Sequence, residues 1–311
     1  MKNLDECDIC GESDFEDLYS MSDKTRELKT EFRLVKCKKC GVFFLNPQPS
    51  QKELEAHYEG RYYSLNGISL KSSKKVSFRI FLYNLYFNNK NKNFLGKLFF
   101  LPFVNYLRGT EISRGKKLLD IGSGSGQFIY EMNQLGMEVT GVEPGNFDEE
   151  SSKKNGLSIY NSDLISASFP KDYFDTITLN QVLEHVSNPS KTLDEIYRIL
   201  RRRGTFILGV PNNNSLAYKL FKENWYQLDV PRHLFHFSNK NLIKFLQMKG
   251  FRIKKVRYNS RPSQFTKSFR YFLGGKGQKR WESVLEFFLL PFTYMLNILK
   301  KGDSIEVWCT K

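Results

Sequence analysis

No apolar run in this 311-residue chain reaches the length of about 20 residues that a membrane-crossing helix requires. The first eleven residues hold acids and two cysteines where a secretory leader would be apolar. Both absences set the expectation of a cytoplasmic protein, in which disulfides among the five cysteines would not persist. Histidine is limited to four residues, so proton transfer near neutral pH has few candidates. Acids are almost missing from two segments. Residues 61–117 carry twelve Lys or Arg against Glu111 alone, and residues 249–301 carry thirteen against Glu282 and Glu286. The net charge of +15 is therefore local, and the remainder of the chain is acidic on balance.

The length suits one α/β domain with a small accessory domain, and a hydrophobic content of 40% suffices for a packed core. The most informative stretch spans residues 118–128. A buried-strand pattern carrying Asp120 passes into Gly122, Ser123, Gly124 and Gly126, followed by Phe128, Ile129, Met132 and Leu135 at helical spacing. Strand, glycine turn and helix let the backbone approach a ligand where side chains would collide. The spacing is G-x-G-x-G, which disfavours a nicotinamide fold with its G-x-G-x-x-G.

This arrangement resembles the first motif of class I S-adenosylmethionine-dependent methyltransferases. A second apolar run, residues 139–142, ends in Glu143-Pro144, and Asn161-Ser162-Asp163-Leu164 follows a third. A fourth strand, residues 174–180, ends in Asn180 and runs into Gln181-Val182-Leu183-Glu184-His185. That "LEH" segment, with the later Asp229-Val230-Pro231-Arg232-His233-Leu234-Phe235-His236, is similar to the type 23 or ubiquinone-type O-methyltransferase group. The group also includes many bacterial glycan-cluster enzymes.

The resemblance implies a Rossmann-like, seven-stranded α/β sheet with its last strand antiparallel. It implies S-adenosylmethionine bound by Asp120, the glycine turn from Gly122 to Gly126, Phe128, Glu143, Pro144, Asp163, Leu164, Asn180 and Gln181. In such enzymes Glu143 would take the ribose hydroxyls and Asp163 the adenine amino group. The protein then has to align a nucleophile, and good alignment contributes about 7–11 kcal/mol. His185 is the first candidate for base or acceptor positioning, with a loop-holding hydrogen bond as its alternative role. His233 and His236 come next. Glu184, Arg232, Trp225 and Tyr226 are acceptor-side candidates, although Trp225 and Tyr226 fit core packing equally well. His57 lies outside these motifs and is expected on a helix surface.

Cys7-x-x-Cys10 and Cys37-x-x-Cys40, each followed by glycine, read as a four-thiolate structural zinc site on a small ribbon. A redox dithiol would instead precede a helix in a larger sheet. Cys309 reads as a small buried residue in the last strand.

The expected organisation is a ribbon over residues 1–60, a basic aromatic helical lead-in over 61–115, and a methyltransferase domain over 116–311. Residues 261–302 would be a helical insertion between the last two strands. The basic segments also hold unbroken aromatic runs, such as Leu98-Phe99-Phe100-Leu101 and Phe287-Phe288-Leu289-Leu290. Either they pack together as a cap with solvated lysines, or their aromatics also enter an anionic membrane surface, placing the protein at its inner face. Nucleic acid is disfavoured, because stacking platforms space single rings among polar residues. The family likeness implies a sugar hydroxyl of a bacterial surface glycan, or of its lipid-linked or nucleotide-activated precursor, as acceptor. A quinone-type small molecule or an RNA is the alternative.

Overall fold

The structure is a computed structural model and describes residues 1–25, 30–58, 74–88, 90–107, 115–145, 147, 149–275 and 280–311. The chain opens with strands β1 (Phe15–Ser22), β2 (Glu31–Cys37) and β3 (Phe43–Leu45), then helix α1 (Gln51–Tyr58). Alternation in the sequence marks β2 and β3. It misses β1, whose residues are mostly polar and of which Met21 alone is fully buried. Helices α2 (Lys74–Phe87) and α3 (Phe94–Phe99) form part of the expected basic lead-in, whose start near residue 61 lies outside the described residues.

A strand–helix alternation follows: β4 (Lys117–Ile121), α4 (Gln127–Gln134), β5 (Glu138–Val142), α5 (Glu149–Lys154), β6 (Ser158–Tyr160), β7 (Phe174–Asn180), α6 (Pro189–Ile199) and β8 (Leu200–Pro211). Helix α4 forms because Phe128, Ile129 and Met132 make one apolar face, which is buried against the sheet. Helix α6 starts where the Asn188 side chain accepts from the Lys191 amide and Pro189 occupies the first turn. The chain ends with α7 (Leu216–Phe221), β9 (Phe235–His236), α8 (Asn239–Met248), β10 (Arg252–Tyr258), α9 (Pro262–Phe272), α10 (Arg280–Ile298) and β11 (Ser304–Thr310).

The large sheet has the order β10-β11-β8-β7-β4-β5-β6. Strands β6, β5, β4, β7 and β8 pair in parallel, and β11 is antiparallel to both of its neighbours. This is the seven-stranded arrangement expected, and α9 and α10 lie between β10 and β11. The chain winds outward from β4 in one direction and from β7 in the other. Their carboxyl ends therefore flank a crevice, the usual ligand position in open α/β sheets.

A second sheet, of order β1-β2-β3-β9, takes its last strand from the late motif. Phe44 of β3 stacks on Phe235 of β9 with ring centroids 6.0 Å apart. One apolar core consequently runs from the cysteine knuckles into the large sheet. His57 departs from its expected surface position. It is buried, with Nδ1 2.8 Å from the Asp23 carboxylate, because the face of α1 that carries it packs against Phe32 of β2.

Helices α9 and α10 are joined by a buried ion pair, Arg270 to Glu282 at 2.6 Å, and by an edge contact between Phe265 and Phe292. Elsewhere these helices and α3 leave rings in solvent, with Phe94 73% and Phe287 70% exposed. Among the described residues no helix is long and apolar enough to cross a membrane.

Candidate functional site

The first half of the site forms where β4 ends. Asp120 is fully buried and accepts a hydrogen bond of 2.6 Å from the Thr178 hydroxyl on β7. The next residue but one, Gly122, has φ of +69°, and its amide donates to the Val142 carbonyl at 2.8 Å. A Cβ at this position would lie 2.3 Å from Cγ2 of Val182, in the turn after β7. The β4 and β7 turns thus touch at the crevice, and only a glycine leaves room. Gly124 and Gly126 share the positive φ of this turn. The Ser123 hydroxyl beside them is buried with no partner among the described residues.

Glu143, at the end of β5, is bound to this turn. Its Oε2 accepts from the Gly124 amide at 2.8 Å and its Oε1 from the Gly145 amide at 3.0 Å, while Pro144 between them is exposed. Asp163 caps its own turn, accepting from the amides of Ile165 and Ser166 and from the Ser166 hydroxyl. Those hydrogen bonds, the hydroxyl's foremost, hold its carboxyl below the usual range. Leu164 is buried beside it. Phe128 lies within the core of α4, whereas Asn180 and Gln181 are half-buried at the end of β7. The structure thus gathers Asp120, the glycine turn, Glu143, Asn180 and Gln181 on the carboxyl edge of β4, β5 and β7.

The second half is built on the turn of Leu183–His185. The late motif is tied to it, since the Leu234 amide donates to the Glu184 carbonyl at 2.7 Å. His185 Nδ1 faces the Arg232 carbonyl at 2.9 Å and the Tyr58 hydroxyl at 3.2 Å. His233 Nδ1 faces the Gln227 carbonyl, and His236 Nε2 the Leu228 carbonyl, each at 2.8 Å. A carbonyl only accepts, so those ring nitrogens carry the proton. The rings of His185 and His233 meet edge to face, with centroids 4.6 Å apart.

Burial sets the ionisation of this corner. It lowers the pKa of His185, of His233 well below the ordinary value, and of His236 to about 4, so the imidazoles are neutral at pH 7. It also pushes Glu184 up to about 8. Burial acts upward on Asp229 as well, but the Arg232 guanidinium beside it outweighs that effect and keeps it ionised.

Other acceptor-side candidates are placed differently. Trp225 is in the core, its indole N–H donating to Asp303 at 3.2 Å. Tyr226 is half-buried, and Lys267 donates to its hydroxyl at 3.2 Å. Arg232 is buried and bridges two carboxylates, donating to Asp23 at 2.7 Å and Asp229 at 2.5 Å. Its guanidinium therefore holds the late motif against the ribbon.

The four knuckle cysteines converge, with Sγ–Sγ separations of 3.7 Å for Cys7–Cys40 and 3.5 Å for Cys10–Cys37. A disulfide would bring the sulfurs to about 2.05 Å. A tetrahedron of thiolates about 2.3 Å from zinc has edges of about 3.8 Å, which these spacings match. The amides of Gly11 and Gly41 close the two turns onto the carbonyls of Cys7 and Cys37 at 2.8 and 2.9 Å.

Three further residues have a place at the site: Tyr58, Asp23 and Asp229. Asp229 was legible as part of the late motif. Asp23 and Tyr58 carry no local signal, because the site residues they meet, Arg232 and His185, lie more than a hundred residues away.

Residues 95–256 match a protein family described as "Methyltransferase domain". A protein of Methanocaldococcus jannaschii is 28% identical over 138 residues, which cover 43% of this chain and 63% of that protein. The ubiquinone biosynthesis O-methyltransferase of Saccharophagus degradans is 33% identical over 123 residues, 37% of this chain and 52% of the relative. The match thus spans little more than half the length of these curated relatives. A crystal structure of a SAM-dependent methyltransferase from Archaeoglobus fulgidus aligns with TM-score 0.44 and 20% identity, over 74% of this chain and 99% of that one.

Proposed function

Because the chain belongs to the methyltransferase domain family, we propose that it moves a methyl group from S-adenosylmethionine to a hydroxyl oxygen of its acceptor. The observation that carries this reading is the glycine turn at Gly122, pressed on Val182 at the crevice between β4 and β7. An adenosyl cofactor fits there: the backbone is bare, the Ser123 hydroxyl lacks a partner among the described residues, and acids stand at Glu143 and Asp163. Glu143 would hold the ribose, Asp163 and Leu164 the adenine, and the amides from Gly122 to Gly126 the methionine end. When bound, this cofactor supplies a methyl group on a sulfonium, already activated for transfer.

The chain's own residues do the rest. The turns at Gly122 and Val182 shape the crevice, and the late motif closes over it through Leu234 and Glu184. Glu184, His185 and His233 receive the acceptor and activate its hydroxyl, while Tyr58 and Arg232 orient His185 and its loop. Titration calorimetry with S-adenosylmethionine should give one site, weakened at least tenfold in Glu143→Gln. A folded wild-type protein that shows no heat would sink the proposal.

For the acceptor, a sugar hydroxyl of a surface glycan or of its lipid-linked or nucleotide-activated precursor accounts for two features together. A structural zinc ribbon contributes Tyr58 to the acceptor corner, and helices within the two basic segments carry exposed rings, including Phe94, Phe99, Phe287 and Phe288. Rings of this kind beside lysines suit the inner face of an anionic membrane, at about 1 kcal/mol per basic residue near the surface. Failure to float with phosphatidylglycerol vesicles at low salt would remove the membrane component. A quinone-type acceptor is the second reading, favoured by the likeness to the ubiquinone biosynthesis O-methyltransferase.

A further inference from the structure

We infer that Glu184, His185 and His233 form a binding site for a divalent transition-metal cation, separate from the cysteine knuckles. A carboxylate oxygen of Glu184 and one ring nitrogen from each histidine lie within 4.8 Å of one another. Two imidazoles and one carboxylate are a donor set for zinc and similar ions that leaves coordination positions open.

Two independent observations point to a ligand here. Glu184 is completely buried, yet neither carboxylate oxygen reaches a donor from another residue among the described residues. Holding that carboxyl ionised with no donor from another residue is costly, and a cation is one of the few partners that would offset that cost. The histidines are also oriented as ligands usually are. Each Nδ1 is held by a backbone carbonyl, Arg232 at 2.9 Å for His185 and Gln227 at 2.8 Å for His233. That fixes the tautomer and leaves each Nε2 as a lone pair. Asp229, 3.9 Å from His233 Nε2, adds negative charge nearby.

Of the three residues His185 is the one partly exposed, so an acceptor would reach an open coordination position from its side. On the methyl-transfer reading, the acceptor hydroxyl would take this position and become more acidic, its proton passing to solvent. Cation binding itself does not depend on that reading.

The test is zinc titration by calorimetry, on full-length protein whose cysteine site is already filled as judged by metal analysis. The wild type should bind one further equivalent. His185→Ala and Glu184→Gln should bind it at least about 100-fold more weakly, while remaining folded by circular dichroism and binding S-adenosylmethionine as the wild type does. Should His185→Ala not fold, Glu184→Gln, which keeps the shape of the side chain, carries the test alone. No further equivalent in the wild type, or one that both variants bind equally well, overturns the inference. Loss of S-adenosylmethionine binding in the wild type would instead tell against the methyl-transfer reading.

Discussion

Arg232, in the middle of the late motif, donates to the carboxylate of Asp23, beyond the end of β1, across 209 residues of chain. Both side chains are almost fully buried, and the same guanidinium reaches Asp229. Removing one partner of such a pair leaves a buried charge uncompensated, which costs about 3–5 kcal/mol. Asp23→Ala should therefore lose roughly that much stability in urea unfolding at pH 7. Because Arg232 also holds the loop whose carbonyl meets His185, methyl transfer should fall along with it.

Asp23 also sets an acid limit. Burial alone would raise its pKa, but hydrogen bonds from Arg232, Thr25 and His57 prevail and hold it at about 2. A folded pKa below the unfolded value contributes stability at higher pH and loses it as pH falls from about 4 to about 2. The stability difference between wild type and Asp23→Asn should shrink over that window. A difference that stays constant down to pH 2 would contradict the assignment.

Asp303 has the opposite sign. Burial pushes it up to about 6, against hydrogen bonds from Ser215 and the Trp225 indole. Its protonated form is therefore favoured in the fold, and its contribution is full below about pH 4 and lost as pH rises through 6. Asp303→Asn should gain on the wild type by about 2–3 kcal/mol between pH 4 and pH 7. Paired denaturation curves at those two values measure the change.

Gly122→Ala separates backbone strain from collision. Gly115 has a similar φ of +72° with nothing within 4 Å of its would-be Cβ, whereas Gly122 would meet Val182. Gly115→Ala should cost about 1–2 kcal/mol of stability and leave cofactor binding intact. Gly122→Ala should cost more and weaken S-adenosylmethionine binding at least tenfold. Equal effects from the two variants would mean that the contact between the β4 and β7 turns is unimportant.

If the four knuckle cysteines hold zinc, its removal should act locally first. With a strong chelator, or in Cys10→Ser, the amides of β1, β2 and β3 should lose hydrogen-exchange protection while β4, β7 and β8 keep theirs. Activity should fall too, since Tyr58 and Asp23 depend on the ribbon for their positions. If metal analysis of native protein finds no zinc, the ribbon reading fails.

Much of this fold could be read from local patterns. Strand β4 is a short apolar run, β7 sets Phe174, Ile177 and Leu179 among threonines, α4 has its apolar face at helical spacing, and the glycine turn is marked by residue type. The knuckle cysteines announce themselves by spacing and converge as expected. Strand β1 escaped because its side chains are mostly polar, and β9 because a two-residue strand has no period. His57 reads as a surface residue because it lies outside the recognised motifs, on a helix that also carries Lys52, Glu53 and Glu55.

Residue order marks the strand–helix alternation, the bare turn after Asp120 and the two cysteine pairs, because each is a pattern within a few positions, whereas the seven-strand order rests on the family resemblance. Folding was needed to bring Tyr58 to His185, Asp23 to Arg232, and the Glu184 carboxylate into a dry corner with two neutral imidazoles. Those contacts join segments far apart in the chain, and burial, which shifts their ionisation, is a property of the packed molecule.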